Sequence, residues 1–140
     1  MTAMIPDTHR DLLAAPNHGV LTTMMPDGQP QSSLVWIDYD NTHILINTTR
    51  ERQKGKNLQA NPKAALLVID RHNASRFIEI RGTVVEMTEE GALEHLNEIT
   101  SKYSDRPYYG GIFPPEKKDE ETRIICKLKP MKINVDAIHA

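Results

Sequence analysis

The feature that most constrains this sequence is how little chain separates its β-forming segments. His18–Met25 runs through Pro26-Asp27-Gly28, a turn signal, into Gln31–Tyr39. Asp40-Asn41 turns the chain again into His43–Thr49. Lys63–Asp70 and Arg76–Met87 are parted only by the polar stretch Arg71–Ser75, and Arg123–Val135 forms the last segment. Links this short join antiparallel neighbours, because a parallel pair needs a crossover of about a dozen residues or more. Six short antiparallel strands remove their edges by closing on themselves. The expected architecture is therefore mainly β, a six-stranded antiparallel barrel flanked by short helices, with residues 1–140 as a single domain.

The helical signals are brief. Asp7 or Thr8 precedes an apolar-spaced stretch ending before Pro16, which predicts a helix over Thr8–Ala15. Residues 53–60 are polar around Leu58 and stop at Asn61-Pro62, which predicts a second. Thr88 followed by Glu89 and Glu90 predicts the capped start of a third, running to about Ser101 with Leu93, Leu96 and Thr100 inward. Residues 102–120 read as a long irregular loop, which in a small domain points to function or disorder. Gly82 reads as a bulge, and Pro130 places its strand at an edge or a bulge.

Composition excludes several classes. The single cysteine, Cys126, makes no internal disulfide, so this is not a disulfide scaffold. The apolar run around Ala64–Val68 is far short of a membrane span, and the start MTAMIPDTHRDLL lacks a basic-then-apolar leader. The expectation is a cytoplasmic protein without a membrane partner. A formal net charge of -2 argues against a surface built for nucleic acid. No two histidines stand at ligand spacing and there is no Cys-x-x-Cys, so no metal is expected. Walker, G-x-G-x-x-G and G-x-S-x-G motifs are absent, so any catalysis rests on a bound cofactor.

One cluster carries chemistry. Arg50, Arg52, Lys54 and Lys56 surround a single acid, Glu51, where a strand gives way to a helix. Such donors suit a phosphate: arginine as a planar fork, lysine as a point charge, and backbone N–H groups at the helix start. The plain alternative is a solvated basic helix. Asn47, Thr48 and Thr49 add amide and hydroxyl groups just before the cations. Ser33, Leu34, Val35 and Trp36 lie on the preceding strand, where the only tryptophan either lines a slot for a flat ring or simply packs in the core. A single-stranded nucleic-acid reading would need more aromatic residues on the strands than Trp36, Tyr39 and Phe77.

The order GVLTTMMPDGQPQSSLVWIDYD, HILINTTRERQKGKNLQANPKAALLV, FIEIRGTV resembles the split-barrel flavin and deazaflavin oxidoreductases, the pyridoxamine-phosphate-oxidase-like proteins. It is most similar to the branch that uses the deazaflavin coenzyme F420. The resemblance spans roughly residues 10–90 and 122–135, and its most specific part is Arg52, Lys54, Lys56, Asn57, Leu58, Asn61 and Pro62. It implies a six-stranded split β-barrel of the FMN-binding type, paired as a homodimer with the cofactor at the interface. It also implies that Arg52, Lys54 and Lys56 hold the cofactor phosphate, with Asn57 in the same motif. Ser33, Leu34, Val35 and Trp36 would run along the ring system, and Asn47, Thr48 and Thr49 would meet the ring or ribityl chain.

True pyridoxamine phosphate oxidases end in an arginine-containing motif that grips the substrate phosphate, whereas this chain reads KLKPMKINVDAIHA there. That departure weighs against vitamin B6 oxidation. The resemblance implies an F420-dependent reductase that passes a hydride from the deazaflavin C5 to a small conjugated or unsaturated substrate. The alternatives are an FMN-binding pyridoxamine-phosphate-oxidase-like protein and a non-catalytic flavin- or deazaflavin-binding module. Lys102, Arg106, Lys117 and Lys118 stand as candidates for the acidic tail of F420, and Tyr103, Tyr108 and Tyr109 as proton donors. No catalytic residue is assigned.

Overall fold

A computed structural model describes residues 2–136. The very end of the chain quoted above, including His139, lies outside the described residues. A short 3-10 turn (Asp7–His9) leads into helix α1 (Arg10–Ala14). Strands β1 (Gly19–Met24), β2 (Pro30–Val35), β3 (Asp38–Tyr39) and β4 (Ile44–Thr49) follow, then helix α2 (Gln53–Ala60). Strands β5 (Lys63–Asp70) and β6 (Asn73–Thr88), helix α3 (Ala92–Tyr103), a second 3-10 turn (Pro115–Asp119) within the expected irregular stretch, and strand β7 (Arg123–Val135) complete the order.

One seven-stranded sheet runs β2-β1-β5-β6-β7-β4-β3, antiparallel throughout. Its first and last strands, β2 and β3, are consecutive in the chain and parted only by Trp36-Ile37. The sheet therefore curls until its two edges meet through the chain itself. That is the split barrel expected, with one strand more. Gln31–Tyr39 pairs with β1 up to Val35 and with β4 from Asp38, so the segment read as one strand serves both ends of the sheet. The break is satisfied from outside: the Ile37 N–H donates to the Tyr103 hydroxyl (3.1 Å), and the Ile37 carbonyl accepts from Lys102 Nζ (2.9 Å). Backbone groups leaving a ladder need such partners.

Period-two burial explains the strands. Leu21 and Thr23, Ile44 and Ile46, Leu66 and Val68, Ile78 and Ile80, and Ile124, Cys126 and Leu128 face one interior. Each large aliphatic side chain buried there contributes about 1.5–3 kcal/mol. Strand β6 bends at two register shifts, Arg81/Gly82 and Val84/Glu86. A Cβ on Gly82 would stand 2.1 Å from the Lys129 carbonyl oxygen, so only glycine permits the approach. Pro130 sits opposite Gly82, beyond the last β4 pairing at Leu128, so its missing N–H disrupts no ladder. Both bulge expectations hold.

Three boundaries differ from expectation. Helix α3 starts at Ala92 after Gly91, whose positive φ of 72° sets the turn, while Thr88 Oγ1 instead accepts the Glu90 N–H (3.1 Å). The helix runs on to Tyr103, so Lys102 and Tyr103 belong to it rather than to a loop. The polar stretch Arg71–Ser75 is mostly strand, because β5 and β6 turn tightly at Arg71-His72 and pair Asp70 with Asn73.

Candidate functional site

Helix α2 sets the site. The Thr49 hydroxyl, at the end of β4, accepts the Arg52 N–H (3.1 Å) and so starts the helix. Gly55 lets the helix lie against the strand end, since a Cβ there would fall 2.1 Å from the Thr49 carbonyl oxygen. Leu58 anchors the inner face at 2% exposure. The four cations then separate. Arg50 turns to Glu89 (2.9 Å), Lys56 stays exposed, and Arg52 and Lys54 both line a cavity of about 310 Å3.

Leu34, Val35 and Trp36 line that cavity from the β2 end, Asn47 from β4, and Leu96 and Ile99 from α3. Tyr108, Ile112 and Phe113 close it from the loop after α3. That loop is folded tightly: the Phe113 N–H donates to the Tyr108 carbonyl (2.8 Å) and the Ile112 N–H to that of Pro107 (2.9 Å). Trp36 is held by stacking on Tyr103, with centroids 5.1 Å apart and planes 7° from parallel, so it is neither loose nor fully in the core. The remaining expected positions stand back from the lining. The Thr48 and Ser33 hydroxyls are buried and have no hydrogen-bond partner among the described residues. Asn57 Nδ2 donates to Thr23 Oγ1 (3.1 Å) and ties α2 to β1.

Arg123, at the start of β7 opposite Thr49, was not legible as a site residue. Its side chain is 6% exposed and lines the same cavity. Nε donates to Asn47 Oδ1 (2.9 Å), the guanidinium lies 5.0 Å from the Tyr108 ring centre, and among the described residues Nη1 has no hydrogen-bond partner. An arginine opening an apolar strand was the one available signal. Glu121 is the carboxylate of the group, 3.2 Å from Arg52 Nη2 and 3.7 Å from Arg123 Nη1, and it accepts from Tyr109 Oη (2.7 Å).

The electrostatics are those of a site short of negative charge. Burial, then the like charges of Arg52 and Arg123, hold the Lys54 ammonium below its ordinary value, and no carboxylate offsets them. Burial also opposes the Arg52 charge, but its bond to Tyr108 Oη (2.9 Å) and Glu121 more than offset that and raise it. Of the three tyrosines weighed as proton donors, only Tyr108 lines the cavity. Tyr103 Oη donates to the Asn17 carbonyl (2.7 Å), and burial raises it. Burial and then Glu121 push Tyr109 up to about 12. Lys102 is engaged by the Leu13 and Ile37 carbonyls, and Lys117 lies 3.4 Å from Glu120.

The profile of the pyridoxamine 5'-phosphate oxidase family matches residues 5–135. The chain belongs to that family. The solved structure of an F420 reductase superposes on this family member with a TM-score of 0.81 at 32% identity, covering 93% of this chain and 98% of that one. The pyridoxine/pyridoxamine 5'-phosphate oxidase of Rhodopseudomonas palustris (strain BisB5) is 38% identical over 91 residues, which are 64% of this chain and 42% of that protein. The chain thus spans less than half of the curated oxidase it matches. A conserved hypothetical protein of Mycobacterium tuberculosis shares the fold, with a TM-score of 0.71 at 23% identity, over 96% of this chain and 85% of that one. Family membership accords with the split-barrel fold described above. Among the described residues no helix is long and apolar enough to cross a membrane.

Proposed function

We propose that this chain is a cofactor-dependent oxidoreductase that binds coenzyme F420, with FMN as the alternative, and reduces a small conjugated or unsaturated substrate. The observation that carries the reading is the convergence of Arg52 and Lys54 with Trp36 on one cavity whose cations outnumber its carboxylates. Such a donor set fits a phosphate, and the apolar wall of Leu34, Val35 and Trp36 fits a ring system. The similarity to an F420 reductase over nearly the whole of both chains favours the deazaflavin. The family description and the curated relatives, named as pyridoxine/pyridoxamine phosphate oxidases, favour FMN.

When bound, the deazaflavin supplies a hydride from its C5. Arg52 and Lys54 fix the phosphate, the main chain of 34–36 orients the ring edge, and Asn47 holds the Arg123 guanidinium at the cavity wall. The loop carrying Tyr108 and Phe113 keeps water from one side of the ring. Tyr108 Oη accepts from Arg52 Nη2, so its own proton is free to point at a substrate. Ser33, Thr48, Thr49 and Asn57 stand behind this lining, Thr49 starting α2 and Asn57 anchoring it, while Lys56 faces solvent.

The reading includes a homodimer with the cofactor at the interface. Leu34 lines the cavity yet is 68% exposed, as an open apolar wall awaiting a second subunit would be. The test is turnover. Reduced F420 is mixed with the protein and a panel of conjugated carbonyls and quinones, and its reoxidation is followed optically. Protein-dependent reoxidation supports the enzyme, whereas tight binding with no acceptor reduced leaves a binding module.

A further inference from the structure

Arg123 is held in place by a partly buried polar chain that the proposed function does not use beyond Asn47. Asp38, on β3, accepts from His95 Nε2 (3.0 Å), on α3. His95 Nδ1 accepts from Asn47 Nδ2 (3.0 Å), which also donates to the Ala92 carbonyl (2.8 Å). Asn47 Oδ1 then accepts from Arg123 Nε (2.9 Å), and the Asn47 carbonyl faces Nη2 (3.4 Å). Each link fixes the next. The two donations by Nδ2 leave Asn47 Oδ1 only for Arg123, and the amide orientation assigns His95 its Nε2–H tautomer toward Asp38. His95 is 7% exposed and the Arg123 side chain 6%.

A buried guanidinium with a spare N–H is costly unless something acidic reaches it. Among the described residues Nη1 has no hydrogen-bond partner, and its long ion pair with Glu121, at 3.7 Å, is to a carboxylate shared with Arg52 and Tyr109. Arg123 stands with Arg52 and Lys54 around the same cavity. We propose that Arg123 is a third cation of the anion site, aimed by the Asp38–His95–Asn47 chain, and that its ligand is the phosphate group of the cofactor. Arg123 is then a binding residue, and His95 and Asp38 are positioning residues that act through Asn47. The inference rests on the proposed cofactor reading, because it assigns that cofactor's phosphate.

The test uses FMN against riboflavin, which share a ring and ribityl chain and differ by the phosphate. Affinities are read from quenching of the single tryptophan, Trp36. The wild type is expected to favour FMN, and Arg123→Gln to cut that preference about 10- to 100-fold while leaving riboflavin affinity in place. Arg123→Lys restores part of the preference, since it keeps the charge and loses the fork. His95→Gln cuts the preference by a smaller factor, again without moving riboflavin, which a merely structural histidine would not do. Pyrophosphate alone, read as a rise in Tm, gives the same ranking without a ring, and urea unfolding confirms that each variant folds. An unchanged FMN preference in Arg123→Gln, beside a loss in Lys54→Met, overturns this proposal and leaves the cofactor reading standing. A wild type that binds neither FMN, F420 nor pyrophosphate overturns both.

Discussion

Lys54→Met separates a binding lysine from a structural one, because the account gives its two effects opposite signs. The methionine keeps most of the apolar stem and removes the charge. In the free protein that charge is opposed by burial and by Arg52 and Arg123, with no carboxylate in compensation. Two like charges a few ångströms beyond contact repel by about 2 kcal/mol at an effective dielectric of about 20, and solvent and salt remove half of that or more at a partly exposed site. The variant should therefore be as stable as the wild type, or more stable by about 0.5–1 kcal/mol. With cofactor the sign reverses. A charge-assisted bond to phosphate is worth about 1.5–3 kcal/mol, so affinity should fall about 10- to 100-fold. The pH dependence has a direction too. The folded lysine sits below the ordinary 10.5, so the unfolded chain binds more protons between those values, and wild-type stability rises relative to the variant as pH approaches 10.5. Urea unfolding and tryptophan quenching measure the two effects. A stability loss above about 1 kcal/mol with unchanged cofactor affinity would refute the reasoning.

Gly55→Ala should lower stability by about 1–3 kcal/mol and weaken cofactor binding with it, since the added Cβ meets the Thr49 carbonyl and must push α2 off β4; chemical denaturation reads it. Asp38 is held below its ordinary 3.8, first by its bond from His95, so its contribution is present above 3.8 and disappears as pH falls through the folded value. Asp38→Asn should accordingly flatten the acid limb of the stability curve; a limb of unchanged slope would contradict that. Burial pushes the Cys126 thiol up to about 12, so a thiol reagent at neutral pH should label it only on unfolding. Rapid native labelling would show that β7 opens readily.

The strands were legible because their chemistry is local: alternation and turn residues act over a few positions. The same locality hid the split of Gln31–Tyr39, since its division at Trp36-Ile37 is imposed by partners β1 and β4 and by Lys102 and Tyr103, distant in sequence. Thr88 has cap chemistry but uses it on a turn, and only the backbone of Gly91 marks the true start of α3. Within the candidate site, the run Arg50 to Lys56 was visible as a charge cluster. Its division into two cavity residues, one ion pair and one solvated lysine follows from the direction α2 takes at Gly55. Arg123 was invisible because its partners, Asn47 and Tyr108, lie on separate elements brought together by the sheet and the loop after α3.

The central claim is that Arg52, Lys54 and Trp36 form one phosphate-anchored ring site. It is tested most directly by titrating the protein with F420 and FMN side by side, following Trp36 fluorescence, and repeating both titrations with Arg52→Gln. The account predicts saturable quenching, tighter for F420 than for FMN, and a loss of about tenfold or more in the variant. Absence of binding by either cofactor, or identical curves for wild type and variant, would contradict it.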